Sequence, residues 1–195
     1  MKIIFFDFDG TITKKDSLVE FIKFALSSFE YYKGLIALSP MLLAYKLKII
    51  PNHIAKEKLI SHFFKGWDSI GFKNIANSYS IEKIDEIIRP KAIEKIKWHQ
   101  GKGHRIVVVS ASIECWLKGW CKKNNLELIG TKLEVKNNML TGKFSTKNCY
   151  GTEKVNRIKE NFNLDDYNVI YAYGDSNGDK EMLSIADKKY YKYFE

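Results

Sequence analysis

The 195-residue sequence predicts an α/β fold: a doubly wound parallel sheet carrying an all-helical insertion after its first strand. Three observations carry this. Met1–Phe6 is an apolar run that stops at Asp7-Phe-Asp9-Gly10-Thr11, Arg105-Ile-Val-Val-Val-Ser110 is a β-branched run that stops at hydroxyls, and Asn168–Tyr173 is an apolar run that stops at Gly174-Asp175. Near-continuous apolar strands belong to parallel sheets covered on both faces. The long segment between the first and second runs repeats its apolar residues at helical spacing.

The first strand delivers two carboxylates one residue apart. Residues i and i+2 of a strand share a side, so Asp7 and Asp9 point into one site at its carboxyl end. Gly10 permits a sharp turn, and Thr11 offers a hydroxyl and a backbone N–H to an anion.

The insertion follows. Asp16 to Phe29 places Leu18, Phe21, Ile22 and Ala25 at helical spacing, Gly34 to Ile50 is a second apolar stretch interrupted by Pro40, and His53 to Phe64 is a third. Ser69 to Tyr79 and Ile81 to Ile88 continue the pattern. We expect residues 15–88 to form a helical cap over a core made of residues 1–14 and 89–195, with hinges near Thr13–Asp16 and Ile88–Pro90. The 34–50 stretch is read as buried cap helices, because Pro40, Lys46 and Lys48 interrupt it and its length is at the short end for a bilayer span. No transmembrane segment is expected, and peripheral membrane contact by 34–50 is the lesser alternative.

In the second half, Ser110 ends a strand, with a helix expected to start near Ser112. Gly151-Thr152-Glu153-Lys154 opens another helix with Thr152 as its expected cap. That puts Lys154 in a first turn, where the helix dipole disfavours a cation. Gly174-Asp175-Ser-Asn-Gly-Asp179 follows the third strand, and a helical pattern runs from Lys180 to Ala186. In a doubly wound sheet the carboxyl ends of the strands lie together and ligands bind outside them. Asp7, Ser110 and Asp175 therefore converge on one crest within reach of Lys154. Such a crest holds a carboxylate nucleophile, a second carboxylate for proton transfer, a hydroxyl and an ammonium for phosphate oxygens, and acidic oxygens suited to Mg2+.

These residues resemble the haloacid dehalogenase superfamily of aspartate-nucleophile phosphatases, and within it the phosphoserine-phosphatase-like branch, subfamily IB. Four motifs stand in order: Asp7-Phe-Asp9-Gly-Thr11, Ser110 after its Val-rich strand, Lys154 in Gly-Thr-Glu-Lys, and Gly174-Asp175-Ser-Asn-Gly-Asp179. Ile129–Glu134 and Leu140–Gly142 look like the branch's region between the second and third motifs. The resemblance implies a Rossmann-like core and a Mg2+-dependent phosphomonoester hydrolase. In it Asp7 forms an aspartyl-phosphate and Asp9 protonates the leaving oxygen and then activates water. It also implies that Asp7, Asp175 and the backbone carbonyl of Asp9 bind Mg2+, and that Thr11, Ser110 and Lys154 hold the phosphoryl group. Asp179 then orients Lys154 or supports the outer shell of the metal.

The substrate implied is a small phosphorylated metabolite. Phosphoserine itself is an alternative, but three features depart from that enzyme's pattern: Asp16 stands where a Glu is usual, Lys14 to Ile88 contains no Arg, and Ser110 is followed by Ala-Ser instead of glycines. A phosphomonoester with a cationic or neutral leaving group is the expectation. A phosphotransferase using the same intermediate and a non-catalytic phosphate- or nucleic-acid-binding protein are the other readings.

The formal charge of +9 comes from lysines scattered along the chain, Arg89, Arg105 and Arg157 being the only arginines. Base readout favours Arg, so no nucleic-acid partner is expected. Cys115, Cys121 and Cys149 are odd in number and form no C-x-x-C pair, which points to a reducing, cytoplasmic compartment. The opening strand is expected to be catalytic, so it cannot also be a signal peptide. His53, His62, His99 and His104 are assigned surface or packing roles.

Overall fold

The computed structural model describes residues 1–195. Its strands are β1 (Lys2–Phe6), β2 (Arg105–Ile113), β3 (Glu127–Thr131), β4 (Leu133–Lys136), β5 (Met139–Phe144), β6 (Val169–Gly174) and β7 (Lys188–Tyr191). Five of them form one sheet in the order β3-β2-β1-β6-β7, parallel throughout, while β4 and β5 pair separately as an antiparallel hairpin. β1 is central: Ile4 lies opposite Ile106 and Tyr171, and Phe6 opposite Val108 and Tyr173.

Side-chain alternation along β1 builds the two layers. Ile4, Phe6 and Phe8 join one core, whereas Ile3 and Phe5 join the other. The helices are α1 (Ser17–Ala25), α2 (Ser28–Lys46), α3 (Asn52–Phe64), α4 (Ser69–Glu82), α5 (Ile84–Ile87), α6 (Pro90–Gly101), α7 (Glu114–Lys123), α8 (Thr152–Asn161) and α9 (Lys180–Ser184). α6 and α7 cover the Ile4 face through Ile96, Trp116 and Trp120; α8 and α9 cover the Ile3 face through Ile158 and Met182. Helices on both faces of a parallel sheet make the fold a doubly wound, Rossmann-like α/β architecture.

The insertion leaves and rejoins the sheet at one point, where Thr13 and Ile88 form an antiparallel bridge and Arg89 N–H donates to Ile12 O at 2.8 Å. Asp16 caps α1, accepting from Leu18 N at 2.9 Å and Val19 N at 3.2 Å. Ser27 and Glu30 form a reciprocal capping box at the start of α2.

Two expectations for the 34–50 stretch fail. Pro40 does not interrupt α2, which runs 19 residues through it. A helical proline frees the carbonyl four residues back, and here the Ser39 hydroxyl donates to that carbonyl, Ile36 O, at 2.8 Å. Nor is α2 buried: Gly34 is its only buried residue, packed so tightly on Phe63 that a Cβ would come within 2.2 Å of the ring. Apolar composition favours burial but does not supply a neighbour to bury against.

The rest of the insertion shares the main core. Phe21 of α1 stacks on Trp116 of α7 at 4.7 Å, with Phe64, Phe72 and Tyr79 around it. Ser80 Oγ accepts from Trp120 N at 2.8 Å, joining α4 to α7. The β4–β5 hairpin also reaches the insertion: Gly66 N donates to Leu140 O at 2.8 Å and Leu140 N to Trp67 O at 2.9 Å. Gly142, at φ +82°, lies so close to α3 that a Cβ would be 2.6 Å from Ser61 Cα.

β2 continues past Ser110 to Ile113, so the helix expected near Ser112 starts at Glu114. Ser110 Oγ accepts from Ser112 N at 3.0 Å, bending the strand end locally while keeping it extended. Cys115, Cys121 and Cys149 are free thiols. No helix is long and apolar enough to cross a membrane.

Candidate active site

The carboxyl ends of β1, β2 and β6 are adjacent because those strands are neighbours in the sheet, and the side chains that follow them meet. Asp7 is buried at the tip of β1, its N–H donating to Tyr173 O at 2.9 Å. The Lys154 ammonium is fully coordinated: Nζ donates to Asp7 Oδ1 at 2.5 Å, Asp179 Oδ1 at 2.7 Å and Val109 O at 2.7 Å. The far oxygen of Asp179 accepts from Asp175 N at 3.2 Å, Ser176 N at 2.9 Å and Ser176 Oγ at 2.7 Å.

The cap expected from Thr152 is not formed. Gly151 occupies the cap position at φ +61°, and its N–H donates to Gly178 O at 2.9 Å. A left-handed turn there suits glycine and ties the start of α8 to the loop after β6. That tie brings Lys154, in the first helical turn, to the sheet crest.

Asp9 sits in a nest of donors from the insertion and from β2. Ser17 N donates to Oδ1 at 2.7 Å, Ser17 Oγ to Oδ2 at 3.1 Å, and Ser112 Oγ makes a short hydrogen bond to Oδ2. Ser17 is itself held by Trp116 Nε1 at 3.3 Å and, through its carbonyl, by the Tyr79 hydroxyl at 3.3 Å. Burial above all, and the nearby Asp16, push the Asp9 carboxyl up to about 6 against the pull of Ser112, Lys56 and Ser17. A carboxyl poised there exchanges protons near neutral pH.

Asp7 is pushed up to about 8 by burial, and Asp179 and Asp9 add to this against the opposing Lys154. Burial also raises Asp175. Burial acts on Asp179 in the same sense, but Lys154 and Ser176 outweigh it and hold that carboxyl below its ordinary value. Lys154, although desolvated, is held firmly protonated by Asp7 and Asp179.

Carboxylate oxygens of Asp7, Asp175 and Asp179 lie within 4.8 Å of one another. Both Asp179 oxygens are engaged by Lys154 and the Asp175–Ser176 turn. The Asp7 and Asp175 carboxylates remain, and burial disfavours their charge in the absence of a cation. Hard oxygen donors of this kind fit a small divalent ion.

Six of the eight residues singled out from sequence, Asp7, Asp9, Asp16, Ser110, Lys154 and Asp179, line one cavity of about 670 Å³. Thr11 and Asp175 do not line it; the Thr11 hydroxyl donates to Asp175 Oδ1 at 2.8 Å. Asp16 reaches the cavity wall, but its Oδ1 is occupied in capping α1. Lys46, Lys48 and Lys56 from the insertion, with Tyr45 and Tyr150, also line it. Sequence reasoning did not assign these five, nor Ser17 and Ser112. It also left Arg89 without a role, although Nε donates to Gly10 O and Thr13 O, each at 3.2 Å, and clamps the loop that carries Asp9.

A family model described as haloacid dehalogenase-like hydrolase matches residues 4–184, which take in all of these crest residues. The chain belongs to that family. Protein CicA of Caulobacter vibrioides is 32% identical over 194 residues, covering 98% of this chain and 86% of CicA. The Mycobacterium tuberculosis "Probable phosphatase Rv3661" is 27% identical over 193 residues, covering 93% of this chain and 65% of that protein. Among solved structures, a phospho-aspartyl intermediate analogue of phosphoserine phosphatase superposes with a TM-score of 0.68 at 20% identity, covering 96% of this chain and 84% of the other. At that identity the likeness speaks for the fold. Family membership makes the chain a hydrolase, and the network around Asp7, Asp9 and Lys154 lies inside the matched region.

Proposed function

We propose that the chain is a Mg2+-dependent phosphatase that hydrolyses a small phosphomonoester through an aspartyl-phosphate on Asp7. The observation that carries the reading is the pairing of two unlike carboxyls on one cavity: Asp7 shares the Lys154 ammonium, while Asp9 is held near 6 by burial. A carboxylate oxygen of Asp7 attacks phosphorus, the bond from phosphorus to the ester oxygen breaks, and Asp9 gives its proton to that oxygen. Asp9 then takes a proton from water as the water oxygen attacks phosphorus, freeing the Asp7 carboxylate and inorganic phosphate. Splitting the displacement this way replaces one difficult step with two easier ones.

Lys154 and Ser110 hold the phosphoryl oxygens, and Asp179 holds Lys154. With both its oxygens engaged, Asp179 fits this orienting role better than a metal-supporting one. Thr11, whose hydroxyl is taken by Asp175, contributes through the turn it builds. Asp7, Asp175 and the Asp9 carbonyl would hold Mg2+, which would supply positive charge to offset that of the phosphate. Residues 15–88 act as the cap that selects substrate.

The cap wall offers Lys46, Lys48 and Lys56, and its single carboxylate, Asp16, caps a helix. This supports a neutral or anionic leaving group over the cationic one that Asp16 first implied. It also weakens the case for phosphoserine, since the one acid of the cap wall, Asp16, already has Oδ1 engaged at a helix cap. Phosphate release from a broad phosphomonoester panel, with and without Mg2+, tests the reading, with Asp7→Asn as control. Metal-dependent release that the variant loses is expected. Release that is unchanged in the variant overturns it.

A further inference from the structure

α2 carries an apolar stripe that nothing in the chain covers. Phe29, Tyr32, Ile36, Leu43 and Leu47 follow one another at helical spacing, which places them on a single face. Each is between 57% and 75% exposed. The other side of the helix packs on the insertion through Gly34 and the half-buried Leu35 and Leu38. A helix apolar on two sides is ordinarily sandwiched between layers, and a contiguous exposed apolar face marks an interaction site.

The charge around the stripe identifies what covers it. Phe29 to Lys56 contains Lys33, Lys46, Lys48 and Lys56 and a single acid, Glu30, which is engaged with Ser27 in the α2 capping box. A second copy of the chain would set these lysines against each other, on top of a net charge of +9. An anionic bilayer supplies hydrocarbon for the stripe, headgroup phosphates for the lysines, and an interface for Tyr32 and Tyr45. Since no helix is long and apolar enough to cross a membrane, such a helix lies in the plane of the surface.

The stripe also leads to the catalytic cavity. It ends at Leu47, with the exposed Ile49 beyond, and the intervening Lys46 and Lys48, with Ile50, line the cavity that holds Asp7 and Asp9. The segment suited to the headgroup layer is therefore also the wall of the site. We propose that α2 seats the protein on an anionic lipid surface and that its substrate is a phosphomonoester carried by a lipid of that surface. The second half of this proposal rests on the phosphatase reading above; the first half does not.

Flotation of the full chain with vesicles of phosphatidylcholine, with and without phosphatidylglycerol, tests the docking. Wild type is expected to float only with the anionic vesicles and to be released by salt. Ile36→Asp/Leu43→Asp, at two positions that do not line the cavity, is expected to stay in solution. The same proteins are then assayed on vesicle-borne phosphatidic acid and phosphatidylglycerol phosphate, and on soluble p-nitrophenyl phosphate. The double variant should lose about tenfold or more of its lipid turnover while keeping its soluble turnover, since only surface concentration has changed.

Failure of wild type to float, flotation of the double variant equal to wild type, or a wild-type dimer that the double variant dissociates each overturns the docking. Flotation with hydrolysis of the soluble phosphate but of neither lipid overturns the lipid substrate alone. Flotation with hydrolysis of none of the three overturns the phosphatase reading, and the lipid substrate with it, while the docking stands.

Discussion

Lys154 Nζ and Asp179 Oδ1 lie 2.7 Å apart with their side chains only 2% and 1% exposed, so the ammonium that faces Asp7 is positioned by a carboxylate as deeply buried as itself. Removing one partner of such a pair leaves an under-compensated buried charge, at a cost of about 3–5 kcal/mol. Asp179→Asn keeps the shape, so the loss should appear in full as a lower urea midpoint with an unchanged slope. Turnover should fall as well, because Lys154 loses its anchor. The Asp179 carboxyl is held below its ordinary value, so its contribution is present above about pH 4 and is lost as pH falls through its lower folded value. Wild type and variant should therefore converge in stability at strongly acid pH.

Ser112 ties the Asp9 carboxyl to β2. Its hydroxyl donates to Asp9 Oδ2 and favours the charged form, opposing the burial that leaves this carboxyl at about 6. Ser112→Ala removes that donor, so the Asp9 pKa should rise. On the proposed mechanism Asp9 is protonated in the first step, which the pH profile of kcat/KM covers, so activity should fall as pH rises past its pKa. In Ser112→Ala this alkaline limb should move to higher pH. A limb that stays in place while activity falls would make Ser112 a packing residue only.

Much of this crest is legible in the sequence because its parts sit at punctuation marks. Asp7, Ser110 and Asp175 each end an apolar run, and Lys154 stands in a first helical turn where a cation is out of place. Ser17, Ser112 and Lys56 are not legible in this way, because their partners lie across the fold and their local sequence is ordinary. The β4–β5 hairpin had a usable signal: Asn137 and Asn138, at φ 49° and 61°, form the two-residue turn that asparagines favour. β7, Lys188-Lys-Tyr-Tyr191, is a lysine-bearing edge strand and lacks the apolar run that marks the central strands. The exposure of α2 is not legible for a different reason. Its composition records an apolar environment without saying whether the chain itself provides it.

Gly10 is required twice over. Its φ of +87° is a left-handed conformation that costs a side-chain-bearing residue about 1–2 kcal/mol. A Cβ there would also lie 2.3 Å from Asp175 Oδ2. Gly10→Ala should therefore push Asp175 away from Asp7 and break its contact with Thr11. The expected result is a folded protein whose half-activating Mg2+ concentration rises about 10- to 100-fold, the scale on which disturbed ligand positioning weakens a metal site. An unchanged Mg2+ requirement would show that Asp175 does not hold the ion.

His99 ties the stability of the sheet to pH away from the catalytic crest. Its Nε2 pairs with the Tyr173 hydroxyl at 3.0 Å and its Nδ1 with His104 Nδ1 at 2.8 Å, with Phe6 and Tyr171 packed edge-on. Burial, with His104 and Lys95 adding to it, pushes the imidazole down to about 3. The unfolded chain takes up this proton near pH 6.5, while the folded chain refuses it until about 3. The contribution of His99 is thus complete above about pH 6.5 and is lost progressively as pH falls toward the folded value. Asp7 and Asp9, raised to about 8 and about 6, act in the opposite sense over part of this window, since the folded state takes up their protons first. Comparing wild type with His99→Gln by urea denaturation at each pH isolates the histidine. The stability advantage of wild type should shrink steadily from about pH 7 to about pH 4, and a constant difference would show that His99 does not titrate against the fold.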